Sequence, residues 1–277
     1  MDNISVSDQL LAIYVFVDDY LKAHPPVSEW RKSPNSHPVF TDAEVITIGL
    51  TQGVFGCQTL KKAYLLVASS FRDAFPNLCC YKEWLRRLHS LTSIVGRLLE
   101  ACVASQEERL YLVDGKPIPV CKPVRHGRVR LLREDGAYFG KGSTGWFFGF
   151  KLHALVHISG QIVSAILTPA NWSEREVAKA LVGPMKDATL LADLGYRCKA
   201  LETDLFNDNR IVLITPLTLP QKRAVVSSVR ERVETTFSQL WTRFIDRVFS
   251  RSWNGLWNTI KLKMVHYNLC EAGIIPA

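Results

Sequence analysis

The strongest constraint on how this chain folds is a change of hydrophobic period near residue 106. Before it, apolar residues recur at helical spacing, as in Val6, Leu10, Ile13, Val17 and Leu21. After Gln106-Glu107-Glu108, short runs rich in β-branched and aromatic residues take over at 110–113, 146–158, 161–168, 189–192 and 211–215, and these read as strands. Neither an all-helical nor an all-β fold accommodates both halves. The pattern predicts an all-helical N-terminal domain over 1–105 and an α/β domain with a mixed sheet over 106–277.

Local signals mark the elements. Ser5 or Ser7 caps the first helix, and His24-Pro25-Pro26 stops it. Thr41-Asp42-Ala43-Glu44 is a capping box that opens a second helix through Val45, Ile48 and Leu50. Leu60, Ala63, Tyr64 and Val67 give a third, halted near Pro76-Asn77. A fourth carries Trp84, Leu85, Leu88, Leu91, Val95 and Leu98 inward, with Lys82, Arg86, Arg87 and Arg97 on a solvated face. No helix-turn-helix signature stands out. In the second half Ser159-Gly160 is a hairpin turn, and Ser173-Glu174-Arg175-Glu176 reads as another capping box, before a helix through Val177, Ala180, Leu181 and Val182. Further helices follow at 198–206 and from Ser227 onward. A hairpin followed by right-handed crossovers makes a mixed sheet covered by helices, and ligands to such sheets gather at the carboxyl ends of strands.

Three carboxylates fall at such places. Asp114 ends the run Leu110-Tyr111-Leu112-Val113, Asp193 ends Thr189-Leu190-Leu191-Ala192, and Glu234 lies on the helix after the last strand. Singly, each has an ordinary reading. Asp114-Gly115 and Asp193-Leu194-Gly195 suit turns, and Glu234 lies four residues after Arg230, the spacing of a helical ion pair. Brought together, the acids would repel one another unless a divalent cation lay between them.

The chain is basic, with a formal charge of +8 and a pI of about 9.2. Charge of this sign favours polyanions, and nucleic acid leads among them. A solvated basic surface would give the same total, but the distribution is uneven. Lys122, Arg125, His126, Arg128, Arg130 and Arg133 crowd one segment, and Lys222, Arg223, Arg230, Arg232, Arg243, Arg247 and Arg251 another. The connection from about 119 to 145 is long for a structureless link, so Lys122, Arg125, Arg128, Arg130 and Lys141 read as contacts to a DNA backbone. Lys151 and His153 share one strand face near Gly149 and border the acidic site, and Trp172 could stack on a displaced base, although core packing is the commoner role of a tryptophan. The seven cysteines show no C-x-x-C spacing and read as reduced, mostly buried thiols. With neither a secretory leader nor a membrane-length apolar run, the expectation is a cytoplasmic protein.

Several segments carry a family resemblance: Y-L-V-D-G-K-P-I-P-V, F-F-G-F-K-L-H-A-L-V, L-T-P-A-N-W-S-E-R, L-L-A-D-L-G-Y, R-V-E-T-T-F-S-Q-L and the closing K-L-K-M-V-H-Y-N-L. In this order, over about residues 40 to 270, the chain resembles the DDE transposases of bacterial insertion sequences. The resemblance implies a ribonuclease H-like catalytic domain and places the family's catalytic, metal-binding triad on Asp114, Asp193 and Glu234. It implies Mg²⁺ as cofactor with Mn²⁺ as substitute, double-stranded DNA at element ends and target as partner, and a homodimer or larger assembly on that DNA. It implies a bacterial source and DNA-end binding by the helical N-terminal domain. On the last helix Arg230 keeps the family's phosphate-contacting position relative to Glu234, whereas Ser227 and Trp241 stand where Tyr and Lys are expected. A ribonuclease H-like nuclease or resolvase that cuts without joining, and a DNA-binding protein that has lost catalysis, are the alternatives. The presence of all three acids argues against the second.

Overall fold

The computed structural model describes residues 4–24, 38–103, 108–142, 145–183, 185–216, 235–239 and 249–276. These fall into two compact units. One holds the described residues up to Cys102 and those from Asn254 onward, and the other those from Val103 to Trp253.

In the first unit, α1 (Val6–Ala23) is capped by Ser5, whose hydroxyl accepts from the Asp8 N–H, and it buries Leu10, Ile13 and Val17. The expected capping box opens α2 (Asp42–Val54). The Thr41 N–H donates to Glu44 Oε2 at 2.6 Å, and the Glu44 N–H donates to Thr41 Oγ1 at 3.2 Å. Next comes α3 (Leu60–Ser70). The single fourth helix of the sequence reading is instead two, α4 (Tyr81–Ser90) and α5 (Thr92–Ala101), broken at Leu91. Side-chain competition for the backbone accounts for the break: Ser90 Oγ donates to the Arg87 carbonyl at 2.8 Å and Thr92 Oγ1 to the His89 carbonyl at 2.7 Å. Arg87 also leaves the solvated face expected for it. Its guanidinium is largely buried against Asp42, at 2.8 Å, and stacks over Phe40.

The closing helix α8 (Trp253–Glu271) packs, from Asn254 onward, with these helices, although the sequence boundary at 105 leaves it with the sheet. Asn258 Nδ2 donates to the Leu88 carbonyl and Asn268 Nδ2 to that of Leu99, each at 3.4 Å, and a side chain at Gly53 would collide with the His266 ring. Because α8 is buried on most sides, its sequence has no single apolar stripe to say which neighbours cover it.

The second unit is built on a mixed sheet of β1 (Leu110–Cys121), β2 (Tyr138–Gly142), β3 (Gly145–His157), β4 (Ile162–Pro169), β5 (Thr189–Leu191) and β6 (Val212–Ile214). From β3 the order runs β3-β1-β5-β6, and β2 and β4 lie end to end along the other edge of β3. β1, β3 and β4 are antiparallel, while β5 and β6 run parallel to β1. This is the ribonuclease H-like mixed sheet that the resemblance implies. α6 (Glu174–Val182) buries Val177, Ala178, Leu181 and Val182 with Val113, Leu155, Leu190 and Leu213 of the sheet and with Leu201 and Leu205 of α7 (Lys199–Asn209).

Two expectations change here. β1 does not stop at Val113 but continues to Cys121 alongside β3, so Asp114 lies within a strand and Asp114-Gly115 is not a turn. Pro117 and Pro119 are tolerated because β5 pairs only as far as Leu112, leaving that side of β1 without a ladder among the described residues. The basic connection is also structured over its described residues. Residues 123–125 form a 3-10 turn, His126 Nδ1 donates to the Pro123 carbonyl and its ring stacks edge-on to Phe139, and Leu132 is buried.

Candidate acidic site at the sheet edge

Register brings the two aspartates level. The three parallel pairs, Leu110 with Thr189, Tyr111 with Leu190 and Leu112 with Leu191, all carry an offset of 79 (189 − 110), and Asp114 and Asp193 are separated by the same 79 (193 − 114). One alternation beyond the last pair, both therefore stand at the same height and on the same face. Here β5 has ended and β1 continues. Asp193 turns the chain: its Oδ1 accepts from the Gly195 N–H at 2.8 Å, opening a short 3-10 turn. The turn reading of Asp193-Leu194-Gly195 is thus correct, and it coexists with placement beside Asp114. Asp114 Oδ1 accepts from the Gly115 N–H at 2.7 Å.

Burial pushes the Asp114 carboxyl up to about 6; the Gly115 N–H opposes this, and the charges of Asp193 and Glu174 add to it. A third acid therefore lies within charge range of the aspartates, and it is not one the sequence singled out. Glu174 stands at the start of α6. Ser173 caps this helix through the Arg175 N–H, and the Glu174 carboxylate instead meets Lys151 Nζ at 3.1 Å. Gly195, two residues after Asp193, makes room for it, and Gly115 lies against it. A Cβ on Gly195 would come within 2.6 Å of Glu174 Oε2, and one on Gly115 within 3.5 Å of Oε1. Arg175 Nε donates to the Gly195 carbonyl at 2.9 Å and fixes the same turn to α6.

Tyr196 is fully buried, and its hydroxyl has no partner among the described residues. Burial raises its pKa well above the ordinary phenol value, and the charges of Glu174, Asp114 and Asp193 push the same way. His153 is also fully buried. Its Nε2 bonds to Thr168 Oγ1 at 3.1 Å and its Nδ1 has no partner, while burial and the Lys151 charge lower its pKa to about 4.

The remaining sequence candidates fall into three groups. Lys122, Arg125, Arg128 and Arg130 are exposed along the basic connection, and Trp172, following β4, is exposed and not in the core. Lys151 and His153 share a face as expected, but they line the face that α6 covers: Lys151 is taken up by Glu174, and His153 has no surface to offer to DNA. Glu234 and Arg230 lie outside the described residues. Of the seven cysteines only Cys57 and Cys102 are buried. Glu174 had one signal in the sequence, because Lys151 is a charge within an otherwise apolar strand and such a charge needs a partner.

Hard carboxylate oxygens level on one face, one of them held at an elevated pKa by burial, fit a divalent cation. Among the described residues no three His, Cys, Asp or Glu side chains are gathered closely enough to hold one. Among them, too, no helix is long and apolar enough to cross a membrane.

A ribonuclease H-like sheet with an acidic edge defines the class. Residues 104–243, half of the chain, match the family model described as transposase DDE domain, and the chain belongs to that family. No curated protein matches the sequence. Among solved structures the chain is similar to a cryo-EM structure of a piggyBac transposase synaptic complex with hairpin DNA. That match has 7% identity and a TM-score of 0.37, over 76% of this chain and 48% of that one. The chain spans about half the length of that protein, and the likeness is too loose to carry an assignment.

Proposed function

We propose that this chain is a transposase that binds double-stranded DNA at the ends of an insertion sequence, cleaves it there and joins the ends to target DNA. The observation that carries this reading is the shared offset of 79, which sets Asp114 level with Asp193 at the edge where β5 ends. Asp114 and Asp193 would hold Mg²⁺, or Mn²⁺ in its place, together with Glu234. When bound, such cations neutralise the acids, activate an oxygen nucleophile and stabilise the leaving oxygen.

The chain's own residues do the rest. Backbone N–H groups of Gly115 and Gly195 orient the two carboxylates. Exposed Lys122, Arg125, Arg128 and Arg130 are available to DNA phosphates, and Arg230 takes a further phosphate contact. Replacing any one of these bases should weaken binding across sequences alike and reduce the salt slope by about 1. A homodimer or larger assembly would hold two DNA ends together.

Purified protein, Mg²⁺ and duplex DNA carrying the element ends test the reading. Wild type should cut, and Asp193→Asn should bind the DNA without cutting it. Cleavage by that variant at the wild-type rate would overturn the assignment. Supplying pre-nicked ends separates a transposase, which joins them to target, from a nuclease that only cuts.

A further inference from the structure

We propose that Glu174 is a positioning residue of the acidic site: it adds negative charge behind Asp114 and Asp193, and Lys151 sets how much of that charge a bound cation feels. This rests on the function proposed above.

Four observations converge on it. The Glu174 carboxylate lies between the segments that carry the two aspartates, Oε1 toward Gly115 and Oε2 toward Gly195, and the missing Cβ of Gly195 leaves room for it. Lys151 Nζ holds Oε1 at 3.1 Å, and the pair is only partly open to water, with the lysine side chain 12% and the glutamate 24% exposed. Two fully buried polar atoms without partners adjoin the same place. His153 Nδ1 lies 3.3 Å from the point a Gly115 Cβ would occupy, and the Tyr196 hydroxyl is within charge range of all three acids. Glu174 also acts electrically on Asp114.

A helix-capping brace would need only the Lys151 contact. It would not need residue 195 to lack a side chain in front of the carboxylate, nor a position within charge range of Asp114. In a partly desolvated site one carboxylate several ångströms from a doubly charged ion changes its affinity by about tenfold. Lys151 offsets part of that attraction without cancelling it, because its ammonium meets Glu174 Oε1 at 3.1 Å while Oε2 is turned toward Gly195.

The test is calorimetric titration of EDTA-stripped full-length protein with Mn²⁺. Glu174→Gln should weaken Mn²⁺ binding about tenfold, and Lys151→Met should tighten it severalfold by leaving the Glu174 charge uncompensated. Lys151→Arg should restore the wild-type value. A brace that is merely structural would lower the melting temperature of both neutral variants and leave Mn²⁺ affinity unmoved, and that result would overturn the proposal. If Lys151→Met does not fold, Glu174→Gln still decides, since unchanged affinity in that variant is sufficient refutation. Failure of the underlying reading looks different: wild type and Asp193→Asn would then bind Mn²⁺ equally or not at all.

Discussion

Metal-free Asp114→Asn protein should be more stable than wild type by up to ~3 kcal/mol at pH 7, while losing DNA cleavage by on the order of 10³-fold or more. The two effects have one cause. Burial and two neighbouring acids raise the Asp114 carboxyl from 3.8 to about 6, so the folded chain holds this proton more tightly than the unfolded chain does. The stability that goes with the neutral carboxyl is full below pH 3.8, declines as pH rises through 6, and is gone above that. At pH 7 the wild-type site therefore carries an ionised, poorly solvated carboxylate among like charges. Asparagine keeps the shape and can still accept from the Gly115 N–H, but it has no charge to desolvate. Urea titrations in EDTA between pH 4 and 8 measure this. The gap between variant and wild type should open as pH rises from about 4 to 6 and then hold steady. A variant that is less stable than wild type at pH 7, or a gap independent of pH, would contradict it. Added Mg²⁺ should close the gap by stabilising wild type alone.

The second large effect lies in the helical unit. Trp84→Ala should destabilise the protein by ~3–5 kcal/mol, enough to approach the whole stability of an ordinary domain. Trp84 is fully buried, and its indole Nε1 donates to the Val45 carbonyl of α2 at 3.1 Å. Its ring also packs against Tyr64 of α3, with centroids 5.3 Å apart, so one side chain ties three helices together. Alanine would leave a cavity and deprive a buried carbonyl of that donor. Trp84→Phe, which fills most of the space but not the hydrogen bond, should cost less, about 1–3 kcal/mol. Urea midpoints with unchanged slope are the readout. A loss below 1 kcal/mol for the alanine variant would mean that these helices do not depend on the indole.

What could be read in the chain beforehand depended on how local its physics was. The Thr41–Glu44 capping box, the Ser5 cap and the hairpin at Ser159-Gly160 are interactions between residues a few positions apart, and the structure contains all three. The α4–α5 break is also local, but side-chain bonds to the backbone at Ser90 and Thr92 leave the apolar spacing undisturbed, so periodicity alone runs through it. The length of β1 was hidden for another reason. Asp114, Lys116, Pro117 and Pro119 interrupt its apolar run, and only pairing with β3 makes it a strand.

The sequence by itself determined the division into helical and mixed-sheet halves and the order of the strands apart from β2, which lies inside the basic connection, because side-chain period is written in neighbouring residues. Tertiary structure alone decided that α8 packs with the N-terminal helices and that Glu174 lies against Gly115 and Gly195. It also decided that His153 is buried. Each of those outcomes rests on which distant segments meet, and a carboxylate acquires its field, its pKa and its partners only from what the fold sets beside it.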